Sequence, residues 1–155
     1  MSFWPSDAFA DAGGAFRLLF GTANEAAERN DLKPDWLIGM GWLYALHARS
    51  SIARGRSLQA LHMVNGLRDC AMALACVRHG LPEREGRGAD DLPAPIVERL
   101  AAAVVGSLDL DELVRAFTAA ADLLLDEVRF VDADHAARLA QPIRELVRTA
   151  QSSHS

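Results

Sequence analysis

From residue 34 to residue 150 apolar side chains recur at steps of three and four, and nothing in that stretch offers a sheet. That step is the period of a helix with one face turned to a core. Glycine, proline and short charged stretches punctuate it. The expected architecture is therefore all-α, a four- to five-helix bundle of the up-and-down kind with short connections.

Each helix carries its own start and stop signals. The first is expected from Pro34 or Asp35 to about Arg54, because proline suits a first helical position and Gly55 suits the residue past the end. Trp36, Leu37, Ile38, Met40, Trp42, Leu43, Tyr44, Leu46 and Ile52 nearly encircle its axis, which predicts a central helix. Gly39 and Gly41 each cost about 1 kcal/mol against alanine in a helix interior. Their expected use is close approach of another backbone or of a ligand. The second helix is expected to open with Ser57 as N-cap and to end at Gly80, with Pro82 just beyond. Its core stripe is Ala60, Met63, Val64, Leu67, Ala71, Leu74 and Val77. A neighbouring stripe, Leu58, His62, Asn65, Asp69, Met72 and Cys76, carries three polar groups in its middle.

Residues 81–93 read as a charged loop. A third helix is expected over about 94–106, with Ile96, Val97, Leu100, Val104 and Val105 inward. The fourth should begin at a capping box, Asp109 with Glu112, and reach about residue 130. The fifth should run from Asp132 or Asp134 to Ala150, with Pro142 kinking or restarting it and the last five residues frayed. Residues 1–33 differ: Phe3-Trp4-Pro5 and Phe16–Gly21 read as short strand-like or irregular pieces around Gly13-Gly14. The expected division is thus 1–33 as an N-terminal segment and 34–150 as the helical domain. Two strands alone are marginal in water, so a sheet is expected to be missing upstream of Met1.

A length of 155 residues suits one domain with a sizeable core. The net charge of -5 argues against a nucleic-acid partner, which calls for a basic surface. Cys70 and Cys76 fit neither a metal spacing nor a disulfide framework, so reduced thiols and a cytoplasmic location are expected. No apolar run reaches the roughly 18 residues of a spanning helix, and no signal peptide is evident.

Charge is unevenly spread. Between Trp36 and Gly80 stand Arg49, Arg54, Arg56, Arg68 and Arg78 against Asp69 alone, so this segment is +4 and the remainder -9. Such a hairpin could face a phosphate, where guanidinium contacts are bidentate. Equally, its arginines could pair with acids of the later helices. His62, Asn65, Arg68 and Asp69 form the best local constellation, with His47 and Arg49 on the preceding helix. They read either as a structural network in which Asp69 pairs with Arg68 or His47, or as the lining of a ligand cleft. No phosphate-cradling glycine loop, metal-ligand spacing or nucleophile elbow occurs. Arg56 and His62 fit loosely the Arg-x4–6-His spacing of HEPN-type ribonucleases.

Three stretches resemble a known family: Gly41–Gly55, Asn65-Gly66-Leu67-Arg68-Asp69, and the loop from Gly86-Arg87-Gly88 to Pro93. With Phe3-Trp4-Pro5 and Phe16–Gly21, they look like the C-terminal portion of bacterial nucleotidyltransferase-like proteins of the DNA polymerase β-type superfamily, near the kanamycin and lincosamide nucleotidyltransferases. The resemblance implies a catalytic α/β half, bearing Gly-Ser and Asp-x-Asp, that holds two Mg²⁺ ions and a nucleoside triphosphate. It implies a helical half that helps bind the acceptor and can supply a base. This chain has no Gly-Ser-x-x-x-Gly and no metal-binding Asp-x-Asp; Asp109-Leu110-Asp111 has the letters on a helix cap. The expectation is thus a helical substrate-binding or accessory domain with no cofactor of its own, metal included, and no activity alone. A free-standing interaction module paired with a minimal nucleotidyltransferase is the alternative, and a HEPN-like ribonuclease the third. Expected binding residues are His47, Arg49, His62, Asn65, Arg68 and Asp69, with Asp69 as candidate base. Expected partners are a small-molecule acceptor or a nucleotide, a nucleotidyltransferase domain, or a second copy. A homodimer would cover the apolar residues Phe3, Trp4, Phe16, Leu18 and Phe20.

Overall fold

A computed structural model describes residues 32–152. They belong to the second of two compact units, Leu32–Ser155. The strand-like reading of residues 1–31 and the fraying of residues 153–155 lie outside the described residues, whereas Gln151 and Ser152, expected frayed, are helical.

Five helices account for most of this unit: α1 Pro34–Ala53, α2 Ser57–Arg78, α3 Ala94–Ala102, α4 Leu110–Val131 and α5 Ala133–Ser152. Two short 3₁₀ turns, Arg84–Gly86 and Ala89–Asp91, fold the connection between α2 and α3. No strand occurs among the described residues. The four long helices close a ring in which α1 packs on α2, α2 on α4, α4 on α5 and α5 on α1. The short α3 lies against α4 and α2. The fold is an all-α bundle.

Local chemistry explains the helix ends. Gly55 and Gly80 take positive φ of 64° and 67° just past α1 and α2, a conformation open to glycine without a Cβ clash. Asp132 caps α5 by accepting the His135 N–H at 2.8 Å. Asp132 is consequently held below the ordinary aspartate range, first by that hydrogen bond.

Five local expectations are corrected. Ser57 is the first residue of α2 rather than its cap; Arg56 holds the cap position without a side-chain hydrogen bond. The capping box does not close, because Glu112 turns to the α3–α4 connection instead. It accepts the Gly106 N–H at 2.8 Å and the Arg115 guanidinium at 2.7 Å, while Ser107 Oγ takes the Asp109 N–H at 3.2 Å. Those two donors hold the Glu112 carboxyl down at about 2. The third helix stops at Ala102, since Arg115 reaches back to bond the carbonyls of Ala102 and Val104 at 2.5 and 2.8 Å. Val97 and Val104, expected inward, are exposed. Finally, α5 runs through Pro142. Pro142 and Arg138 are both exposed, so the carbonyl that loses its N–H partner faces water.

The core sits on α4. Phe117, Leu113, Leu123, Leu124 and Val128 are fully buried there. The first helix is not central: it buries Leu37, Ile38, Gly41, Ala45, Ala48 and Ile52 on one face, while Trp36, Leu43 and Leu46 are exposed on the other. Gly41 lies where an added Cβ would stand 2.8 Å from a Leu124 methyl, so its close neighbour is an apolar side chain of α4. Gly39 has open space beside it.

Candidate functional site

Packing of α1 on α2 is set by a tyrosine ring over a glycine. A Cβ at Gly66 would stand 2.6 Å from the Tyr44 ring, so only glycine lets the two helices approach there. That register leaves an open cleft of about 680 Å³ between the start of α1, the middle of α2 and the Arg84–Gly86 turn. Its apolar wall includes Trp36, Leu37, Tyr44 and Met72. Its polar rim is Asp69, Glu83, Arg84 and Glu85.

Every acid on the rim has a guanidinium partner. Arg68 Nη2 donates to Asp69 Oδ1 at 2.9 Å. Arg87 Nη2 donates to Glu85 Oε2 at 2.7 Å. Arg84 lies 3.5 Å from Glu83, whose Oε1 also accepts the Leu32 N–H at 3.2 Å. Glu85 has a φ of 57°, left-handed backbone that a side chain with a Cβ rarely adopts. Strain of this kind costs on the order of 1–3 kcal/mol and collects at ligand sites.

Cys70 also lines the cleft. Burial first, and then the Asp69 charge, push its thiol up to about 11. It is protonated at neutral pH and a poor nucleophile. Burial raises the Cys76 thiol as well. Among the described residues no group of three or more His, Cys, Asp or Glu could hold a metal ion. No helix is long and apolar enough to cross a membrane.

Only Asp69 of the residues singled out from the sequence lines the cleft, with its partner Arg68 beside it. His47 and His62 are exposed on α1 and α2, and Asn65 is half-buried; none of the three lines it. Arg49 points the other way, its Nε donating to Thr149 Oγ1 of α5 at 3.1 Å. Arg56 holds the non-helical cap position before α2 and His62 lies in its second turn, and both are exposed. Asp69 satisfies itself on its own helix, by Arg68 rather than His47.

The arginine-rich hairpin finds part of its charge balance inside the bundle. Arg78 forks onto Glu127 of α4, with Nε and Nη2 each 2.9 Å from a carboxylate oxygen. Glu127 is 2 % exposed, and the Arg78 guanidinium lies 4.1 Å from the centroid of the Phe130 ring. For Arg78 this is the expected alternative, pairing with an acid of a later helix; which acid had no local signal, because the partners are 49 residues apart. Trp36, Tyr44, Glu83 and Glu85 escaped the sequence reading. Their one local signal was Gly66, a glycine inside a helix opposite an aromatic. Comparison with family models, with curated proteins and with solved structures finds no match for this chain.

Proposed function

We propose that this helical unit binds a small polar molecule in the cleft, as the substrate-binding or accessory part of a nucleotidyltransferase-like protein. One observation carries the reading. Of the five stretches on which the family resemblance rests, the three among the described residues each contribute to the cleft: Tyr44 from Gly41–Gly55, Gly66 and Asp69 from Asn65–Asp69, and Gly86 from the loop. Stretches some 20 residues apart in sequence that converge on one concave site fit a shared binding task better than three separate structural ones. A cleft with an apolar, aromatic wall and a few polar groups is the ordinary form of a small-molecule site. Trp36 and Tyr44 would stack on or cover a ring, and Asp69 and Glu85 would receive hydroxyl or ammonium donors. Asp69 Oδ1 is engaged by Arg68, which keeps the carboxylate oriented. The unit would position an acceptor, and the metal-assisted transfer itself would belong to a separate catalytic half.

Calorimetric titration of the chain with kanamycin, lincomycin and Mg·ATP tests this. Kanamycin or lincomycin should bind, and Asp69→Ala together with Glu85→Ala should weaken binding at least ~10-fold while the fold is kept, since both side chains are exposed. Mg·ATP alone should not bind. Absence of binding by both acceptors, or binding indifferent to the two substitutions, overturns the reading.

A further inference from the structure

The outward face of α1 carries a heptad seam that no other described residue covers. Trp36, Gly39, Leu43, Leu46, Ser50 and Ala53 follow one another at steps of three, four, three, four and three, the spacing of a helix-pairing stripe. Trp36 is 54 % exposed, Leu43 41 % and Leu46 42 %. Gly39, in the middle, has open space where a Cβ would be. A glycine there costs α1 about 1 kcal/mol against alanine, and nothing in the described unit uses it. Within α1 formal charges occur only at Asp35 in the first turn and Arg49 near the end, with Arg54 at the cap.

We propose that this seam is a self-association surface, and that two copies of the chain pair through α1 in antiparallel orientation about a two-fold axis. Size and charge both select that occupant. In antiparallel register Leu43 meets the partner's Leu46, Gly39 meets the partner's Ser50, and Trp36 meets the partner's Ala53. Large residues stand against small ones at the two ends, and the small pair lets the backbones come close. The same arrangement sets Asp35 beside the partner's Arg54 and opposes the two helix dipoles. Parallel pairing would stack Trp36 on the partner's Trp36, leave a gap at Gly39 and set the arginine ends side by side. The surface is self-complementary, which a two-fold interface requires. Twenty residues give a helix about 30 Å long. Its one face is smaller than the roughly 800 Å² per partner of a standard interface. The dimer is therefore weak, with a dissociation constant on the order of 10–100 µM. Its existence is independent of what the cleft binds, although Trp36 borders both.

Sedimentation equilibrium of the full chain from 1 to 500 µM reads this directly. The mass should rise from 16.8 kDa toward twice that value. Leu43→Asp should weaken the dimer about 100-fold or more while helicity and melting of the monomer stay as they are. Gly39→Leu, which fills the small layer, should weaken it as well. Orientation is read by oxidation: Gly39→Cys chains mixed with Ser50→Cys chains should cross-link to each other, and Gly39→Cys chains should not cross-link among themselves. A mass of 16.8 kDa at every concentration, a dimer indifferent to Leu43→Asp, or cross-linking of Gly39→Cys only to itself overturns the proposal.

Discussion

The first and fourth helices are of similar length, 20 and 22 residues, and both are rich in apolar side chains, yet they are used in opposite ways. In α4 the apolar residues before its last two, Phe130 and Val131, are buried or half-buried, with charged residues such as Asp111, Arg115, Asp122 and Arg129 facing water. In α1 they surround the axis, and Trp36, Leu43 and Leu46 stay outside the core. An apolar residue inside a bundle is explained by the bundle; one left outside on a regular seam is explained only by something else. Counting apolar residues therefore points to α1 as the middle of the molecule, whereas their angular distribution identifies α4.

Truncation should separate the two helices most sharply. Phe117→Ala removes a fully buried ring of α4 and should cost about 3–5 kcal/mol in urea unfolding. Leu43→Ala on the outer face of α1 should cost no more than about 0.5 kcal/mol at micromolar concentration. Equal losses would mean that α1 is as central as α4.

Next in size is the ion pair that joins α2 to α4. Arg78→Ala strands Glu127, which is 2 % exposed. A stranded buried charge costs about 3–5 kcal/mol, and the partial exposure of Arg78 puts the expected loss near 2–3 kcal/mol. Arg129→Ala, which removes an exposed pair with Asp126, should cost at most about 0.5 kcal/mol. A difference below about 1 kcal/mol between the two variants would show that the fork is no more than a surface contact.

Two glycines of α1 sharpen the same contrast within one helix. Gly41→Ala drives a Cβ into the Leu124 methyls at 2.8 and 2.9 Å, and overpacking of this kind costs about 1–3 kcal/mol. Gly39→Ala meets nothing within 4 Å. It should stabilise the monomer by about 1 kcal/mol through helix propensity alone. Opposite signs in thermal unfolding at low concentration are expected; a loss at both positions would place Gly39 inside the core.

What was legible in the sequence follows from range. The start of α1 and the ends of α1 and α2 were readable because Pro34, Gly55 and Gly80 act on their own backbone. The end of α3 was not, because it depends on Arg115, thirteen residues beyond Ala102. No restart occurs at Pro142, where exposure lets water take the freed carbonyl. At the site, Asp69 stood out as the one acid of a basic segment. Trp36, Tyr44 and Glu85 did not, since their meeting requires the α1–α2 register and the fold-back of the Arg84–Gly86 turn, and neither leaves a periodic trace.

The smallest effect concerns how α4 begins, and it is a dependence on pH. Glu112 is held at about 2 by Arg115 and the Gly106 N–H, against an ordinary value of 4.5. A carboxyl depressed in the folded state contributes stability above its unfolded value, and that contribution is lost as pH falls through the folded one. The stability these contacts give to the start of α4 should thus be whole above pH 4.5 and fall away between 4.5 and about 2, where the carboxyl takes up its proton. Carboxyl-carbon NMR of Glu112 should show a midpoint near the lower figure, with the Gly106 amide shift following the same curve. Glu112→Gln should flatten the amide curve and leave the buried middle of α4 untouched. A midpoint at 4.5 for Glu112 would mean that the Arg115 clamp on the end of α3 is not formed in solution, and α4 would then be anchored by its core face alone.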